Sequence, residues 1–361
     1  MFLPGLELCE ILYREGVAPL LDVPHAAARV GPGSEVLGFD TARSADHDWG
    51  PRLELFLRPA DLDRAGDLDD LLSRRLPKQV RGWPTHFEPP GARVATMAVT
   101  SGPVAHRVRI TDVASWSVER LGFDATRGVT DADWLATPAQ RLAEVVGGAV
   151  YHDAVGELTA LRERLAWYPD HVWREVLAAQ WTRIAQEEAF VGRAAEAGDD
   201  LGSRIVAARL ARDVMRLCLL LERRYPPYSK WLGSAFAALP DIAATAAALG
   251  SAVGASDAVV RQEALCTAYE HAGRRQNRLG IAPPVDAVRR DYFDRPFPVI
   301  DAGRFAAALH PGWTTGAIDS YVDSTDVLER PALARALAGV THRDNPEPGA
   351  GRSPRSRAEP G

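Results

Sequence analysis

Residues 29–57 read RVGPGSEVLGFDTARSADHDWGPRLELFL, and no other stretch of the chain limits its fold so sharply. The pattern predicts a strand, a turn at Gly33-Ser34, a short helix, and a second strand that opens with Asp46-His47-Asp48. Two carboxylates at i and i+2 of a strand point to one face, roughly 6–7 Å apart along the chain. That arrangement suits a divalent ion, which prefers hard oxygen ligands and keeps substrate phosphate in its shell. Gly33 lets the backbone approach closely, and the turn can aim N–H groups at phosphates, with the Ser34 hydroxyl as a further donor. An Asp-x-Asp triplet and a Gly-Ser turn are each common alone. Their spacing is what carries the reading, because residues 35–45 leave room for one short helix and Leu53, Leu55 and Leu57 alternate afterwards.

Composition narrows what surrounds this stretch. A chain of 361 residues with 46% hydrophobic content can bury a sizeable core, and two domains are expected. The net charge of −6 speaks against nucleic acid or a membrane surface as a bulk partner. Cys9, Cys218 and Cys266 are scattered without metal-ligand spacing, and the last two lie in apolar helical contexts that predict buried thiols. The first residues, MFLPGLELCEILYREG, lack a basic region, and no segment approaches eighteen continuous apolar residues. A cytoplasmic setting is the expectation.

The rest of the amino-terminal part fits an α/β unit. Leu6, Cys9, Leu12 or Tyr13, and Val17 share a helical face over residues 5–21, and Pro24 ends that helix. Within the polar stretch 58–90, DLDDLLSRRLP predicts one short helix, and the remainder reads as loop. A third strand is expected over VAHRVRI, residues 104–110, with Arg107 and Arg109 rather than an acid at facing positions. His47 should point away from its flanking aspartates, and His25, His106 and His152 lack partners at ligand spacing.

From Asp131 the texture becomes helical. AQRLAEVV runs from Thr137-Pro138 until Gly147-Gly148 stops it, and Leu158, Leu161 and Leu165 share the next face. A long helix is expected from Asp170 to Gly198, carrying Trp173 and Trp181 at core spacing. Asp199-Asp200 caps the most apolar helix, residues 201–225, which belongs at the centre of an antiparallel bundle. Arg274-Arg275 reads as a helix end. Asp319, Asp323 and Asp326 form either an acidic cluster or a solvated loop, and the tail rich in Pro, Gly, Arg and Ser reads as disordered.

Gly-Ser, this gap, and Asp-x-Asp on a strand together resemble the signature of the nucleotidyltransferase superfamily, the polymerase-beta-like fold. The segments GPGSEVLGFDTARSADHDWGPRLELFL, WYPDHVWREVLAAQWTRIAQEEAFVGRA, RYPPYSKWLGSAF, RPFPVIDAGRF and DSYVDSTDVL are similar to the bacterial family domain of unknown function 4037. That family is regarded as nucleotidyltransferase-like. Tyr228-Ser229-Lys230-Trp231 also resembles the start of a second-domain helix in antibiotic adenylyltransferases of the streptomycin/spectinomycin type, whose lysine reaches the triphosphate. Only Lys78 joins Lys230 among the lysines of this chain, and a solvated Lys230 with its stem on Trp231 is the plainer alternative.

The resemblance implies an α+β chain with a small mixed-sheet nucleotidyltransferase domain at 1–130, an all-helical bundle at 131–337, and a disordered tail at 338–361. It implies Mg²⁺ held by Asp46 and Asp48, a nucleoside triphosphate (ATP) bound by Gly33, Ser34 and Lys230, and transfer of AMP to a hydroxyl of an unknown acceptor. The superfamily carries a third carboxylate on a neighbouring strand. Here Asp112 is the candidate base, with Glu54 and Glu88 as the other acids, and Thr111-Asp112 equally suits a cap for the helix near Val113. The acid missing from the strand leaves two alternatives open, a catalytically silent nucleotide sensor and a helical interaction protein.

Overall fold

The computed structural model describes residues 2–92, 94–312 and 314–339. The disordered tail expected at 338–361 lies, but for its first two residues, outside them. Helix outweighs strand, 54% against 10%, and the strands form a small mixed sheet, so the fold is α+β as expected.

Four strands make that sheet. At its middle, β1 (His25–Arg29) pairs antiparallel with β2 (Arg52–Leu57) on one side and with Ala149–Asp153 on the other. Strand Arg107–Thr111 completes the sheet, parallel to β2, with Arg52 opposite Arg107 and Glu54 opposite Arg109. The leucine alternation sets which face is which. Leu53, Leu55 and Leu57 are buried with Leu8 and Leu12 of the amino-terminal helical segment and with Leu68 and Leu72 of helix α2 (Ala65–Arg75). Phe56, Ala26 and Ala28 take the opposite face, where Phe56 meets Trp116 of α3 (Val113–Leu121) edge-on at 5.6 Å.

Strand Ala149–Asp153 lies within the stretch 131–337 that the sequence reads as helical. The helix before it, α5 (Ala139–Val146), stops at Gly147-Gly148 as the sequence indicates, but the chain then returns to the sheet. Gly148 has φ +68°, and a Cβ there would lie 1.9 Å from the Arg29 carbonyl oxygen. Only glycine permits that approach. The carboxy-terminal part is therefore not purely helical, and its apolar core is continuous with that of the sheet: Phe56 and Trp116 belong to one cluster with Trp173, Leu210 and Tyr269.

The bundle is built on α7 (Asp170–Glu187), α9 (Asp200–Leu221) and α12 (Ala258–Leu279). Helix α9 lies among its neighbours with an almost wholly buried carboxy-terminal half, and Asp199 caps it through the Gly202 N–H at 2.8 Å. Trp181 is buried and stacks on Phe305 at 4.5 Å, which makes it core. Two helix limits differ from the sequence reading. Helix α7 ends at Glu187 rather than near Gly198: a turn at Glu188 and Ala189 divides it from a separate helix, Phe190–Glu196, and the Glu188 side chain accepts the backbone N–H groups of Ile300, Asp301 and Ala302 at 2.9–3.1 Å. Helix α12 continues past Arg274-Arg275, and buried Arg275 donates to the carbonyls of Pro240 and Asp241 and pairs with Glu222. All three cysteines are buried free thiols. Among the described residues no helix is long and apolar enough to cross a membrane.

Candidate functional site

The turn after β1 is shaped by a buried ion triad. Arg29 pairs with Glu35 at 2.8 Å, Arg52 reaches the same Glu35 oxygen, and Arg29 also donates to the carbonyls of Val30 (2.6 Å) and Pro32. Burial pushes the Glu35 carboxyl up, but the two guanidiniums outweigh it and hold the carboxyl below its ordinary value. Gly33 lies against this triad with φ +156°, and a Cβ there would fall 2.5 Å from Arg29 Nη2. The turn thus needs glycine. The Val30 and Pro32 carbonyls face the arginine, and among the described residues the Gly33 and Ser34 N–H groups donate no hydrogen bond.

The aspartates sit differently from the sequence expectation. Asp46 ends a 3₁₀ turn (Ala42–Asp46), His47 is extended, and Asp48 has φ +47°, so strand pairing begins only at Arg52. An aspartate tolerates that left-handed backbone better than most residues. Asp48 is held by Ala95, whose carbonyl accepts its N–H at 3.0 Å and whose N–H donates to Oδ1 at 3.2 Å. Strand alternation therefore does not apply to His47. Its Nδ1 lies 2.9 Å from Asp46 Oδ1, and it lines the same cavity as both aspartates.

That cavity, of ≈ 320 Å³, lies between the turn and the helices. Gly33, Ser34, Asp46 and Asp48 line one wall, and Arg212, Tyr228 and Lys230 line the other. Lys230 is the second residue of α10 (Ser229–Ala237), and its Nζ stands 4.9 Å from the Trp231 ring centroid, so the stem on Trp231 and the place in the cavity wall coexist. Phe39, just after the turn, stacks on Trp231 at 5.2 Å, and Gln140 of α5 accepts the Tyr228 N–H at 3.0 Å. Both contacts fix α10 over the turn.

Asp112 does not join this group. It lines neither large cavity and accepts the Ser115 N–H at 2.8 Å as the cap of α3. It lies five positions beyond Arg107, roughly 17 Å along the strand, whereas Arg107 is the one opposite Arg52. The cap reading holds and the general-base role is not supported. Among the described residues no group of three or more His, Cys, Asp or Glu side chains is placed to hold a metal ion. Asp46 and Asp48 alone fit an ion only if a phosphate-bearing ligand and water complete its shell.

Sequence reasoning missed Arg212 and Arg216 of α9. Arg216 makes a buried pair with Asp319 at 2.7 Å, so Asp319 is structural, while exposed Asp323 borders the cavity. Burial, then the neighbouring Arg216, lowers the Arg212 pKa, and among the described residues Arg212 has no carboxylate within 4.0 Å. The signal was present in LARDVMRLCLLL, where arginines interrupt an apolar run and must find partners or a ligand.

This assembly, a small mixed sheet whose connecting loops meet a helical bundle across a charged cavity, defines the architectural class. Residues 134–232 match the family model described as Domain of unknown function (DUF4037). The match begins in α4 (Asp131–Ala136), ends in α10 and includes Arg212, Tyr228 and Lys230; it does not extend to the Gly-Ser turn or to the aspartates. No curated protein matches the chain.

Proposed function

We propose that this protein is a magnesium-dependent nucleotidyltransferase that moves AMP from ATP to a hydroxyl of an acceptor. The supporting observation is the single cavity in which Gly33, Ser34, Asp46 and Asp48 face Arg212 and Lys230, residues drawn from three separate parts of the chain. Asp46 and Asp48 would hold Mg²⁺, which enters with the nucleotide and offsets the charge developing on the leaving pyrophosphate. The open N–H groups of the turn bind the β- and γ-phosphates, and Arg212 and Lys230 approach them from the helical wall. The acceptor oxygen forms a bond to the α-phosphorus as the bond from that phosphorus to the bridging β-oxygen breaks. Pyrophosphate leaves, and the hydroxyl proton passes to solvent, because Asp112 is committed to its cap.

One observation favours a second reading. Strand Arg107–Thr111 carries arginines where the superfamily has an acid, which fits a nucleotide sensor that does not turn over. ATP labelled at the α-phosphorus, incubated with the protein, Mg²⁺ and the small-molecule fraction of a cell extract, separates the two. A labelled product that disappears in Asp48→Asn supports transfer. Tight Mg·ATP binding without label supports the sensor, and absence of Mg-dependent nucleotide binding overturns both. Asp48→Asn should weaken that binding at least about 100-fold, worth about 2.7 kcal/mol, with an unchanged melting temperature, since asparagine also accepts φ near +47°.

A further inference from the structure

The turn, the aspartates and the two cations account for only part of the cavity between the turn and the helices. Much of the remaining wall is apolar, made by Pro138, Pro226, Pro227, Tyr228, Val322 and Leu328. A metal ion and a triphosphate have no use for such a surface. Ligand pockets pair an apolar wall with a few polar groups that fix orientation, so the apolar wall belongs to another part of the ligand.

The amino-terminal end of α5 holds this wall together. Gln140 Oε1 accepts the Tyr228 N–H at 3.0 Å, which ties α5 to the start of α10. Arg141 Nη2 donates to the Glu329 carbonyl at 2.6 Å, and the Ala139 N–H donates to Asp319 Oδ2 at 3.4 Å. Asp319 is fastened in turn by its pair with Arg216. The segment from Asp319 to Glu329 is therefore pinned at both ends, and Val322 and Leu328 between the pins line the cavity. Tyr228 meets this segment around one helix end. It is 36% exposed, and while Trp231 already stacks on Phe39, Tyr228 has no ring partner among the described residues.

The polar side chains beside this wall are committed. Gln140 uses its oxygen on Tyr228 and its amide N–H on Glu144 at 2.9 Å. Glu144 also holds Arg141 at 3.0 Å, as Asp319 holds Arg216. Asp323 and Thr325 stand exposed on the rim, where water competes for them. The wall thus offers a flat ligand a ring face and aliphatic contacts, and every buried polar side chain beside it already has a partner.

We propose that this wall is the nucleobase slot, that the base stacks on Tyr228 against Val322 and Leu328, and that the slot takes purines without telling adenine from guanine. The proposal rests on the nucleotidyltransfer reading and specifies which nucleotides that site accepts. Stacking on an aromatic ring tolerates any base, because every base has a π face, and the larger purines gain most from it. Separating adenine from guanine takes hydrogen bonds to the ring edge, and a site built for those rejects the wrong partner by orders of magnitude.

Calorimetric titration of the full chain with ATP, GTP, CTP and inorganic tripolyphosphate, each with Mg²⁺, tests the proposal. ATP and GTP should bind within about threefold of each other and at least about tenfold more tightly than tripolyphosphate, with CTP between. Tyr228→Leu should remove about tenfold from ATP and GTP while tripolyphosphate affinity holds. Tyr228→Phe keeps the ring and should restore the parent order. Should Tyr228→Leu fail to fold, Leu328→Ser on the same wall is expected to weaken both purine nucleotides, but not tripolyphosphate, by a smaller factor. A preference for one purine beyond about tenfold overturns the proposal, as does a Tyr228→Leu variant that loses tripolyphosphate as much as ATP. Binding of Mg-tripolyphosphate with no gain from any base removes the slot and leaves the metal and phosphate part of the nucleotidyltransfer reading standing. If neither tripolyphosphate nor any nucleotide binds with Mg²⁺, that reading falls and this proposal falls with it.

Discussion

Glu35 beneath the Gly-Ser turn and Glu188 in the helical bundle are both almost wholly buried, at 1% and 5% exposed, yet the two regions treat them in opposite ways. Glu35 is clamped by Arg29 and Arg52 and held below its ordinary pKa. Glu188 accepts three backbone N–H groups and has no cation within ion-pair distance among the described residues; burial outweighs those bonds and pushes its carboxyl up to about 7. At Glu188 the bundle buries a carboxyl by letting it approach neutrality, whereas it pairs buried Asp319 with Arg216. The sheet edge keeps full charges buried, with two guanidiniums to one carboxylate, directly under the cavity. Such an arrangement costs stability in desolvation.

The largest effect should come from removing the carboxylate of the triad. Glu35→Gln leaves two buried guanidiniums uncompensated and should cost about 3–5 kcal/mol, read as a lower midpoint in urea unfolding. A variant of unchanged stability would break the contrast with Glu188.

The bundle glutamate should show itself through pH. With its pKa raised to about 7, Glu188 keeps its proton in the folded protein where the unfolded chain has lost it. Its contribution to stability is therefore full below about 4.5 and falls as pH rises through about 7, by up to about 3 kcal/mol. In Glu188→Gln that falling segment should vanish from the stability-versus-pH curve. Were the slope of the variant to match the parent, the two glutamates would not differ in charge state.

The smallest effect belongs to the helical wall of the cavity. Lys230 is exposed and its stem lies on Trp231, so Lys230→Met should leave the melting temperature unchanged. It should weaken Mg·ATP binding by about tenfold, near 1.4 kcal/mol. Arg212→Gln, on the same wall and more buried, should weaken it at least as much, and equal affinity in both variants would confine nucleotide binding to the turn side.

Much of the fold was legible because it depends on local pattern. Leucine alternation at Leu53, Leu55 and Leu57 marks β2 and its buried face, DLDDLLSRRLP forms α2, and Asp199 caps α9. The strand assignment for Asp46-His47-Asp48 failed for a tertiary reason. Ala95, 47 residues away, grips Asp48 and holds a backbone conformation that no local propensity specifies. Strand Ala149–Asp153 was missed because it is made by pairing with β1, and AVYHD carries no alternation of its own. Asp112 fell to its cap, an alternative the residues themselves had offered.

The sequence by itself determined that this chain has a glycine-serine turn, a pair of nearby aspartates, a small sheet and a helical bundle, because each follows from periodicity, turn chemistry and side-chain charge within a few residues. Only the tertiary structure decided that the turn, the aspartates, Arg212 and Lys230 share one cavity, and that a second cavity lined by Arg107 and Arg109 adjoins it. The reason is physical: which charges meet depends on packing between segments as much as two hundred residues apart, and that is fixed by the continuous apolar core rather than by any local motif.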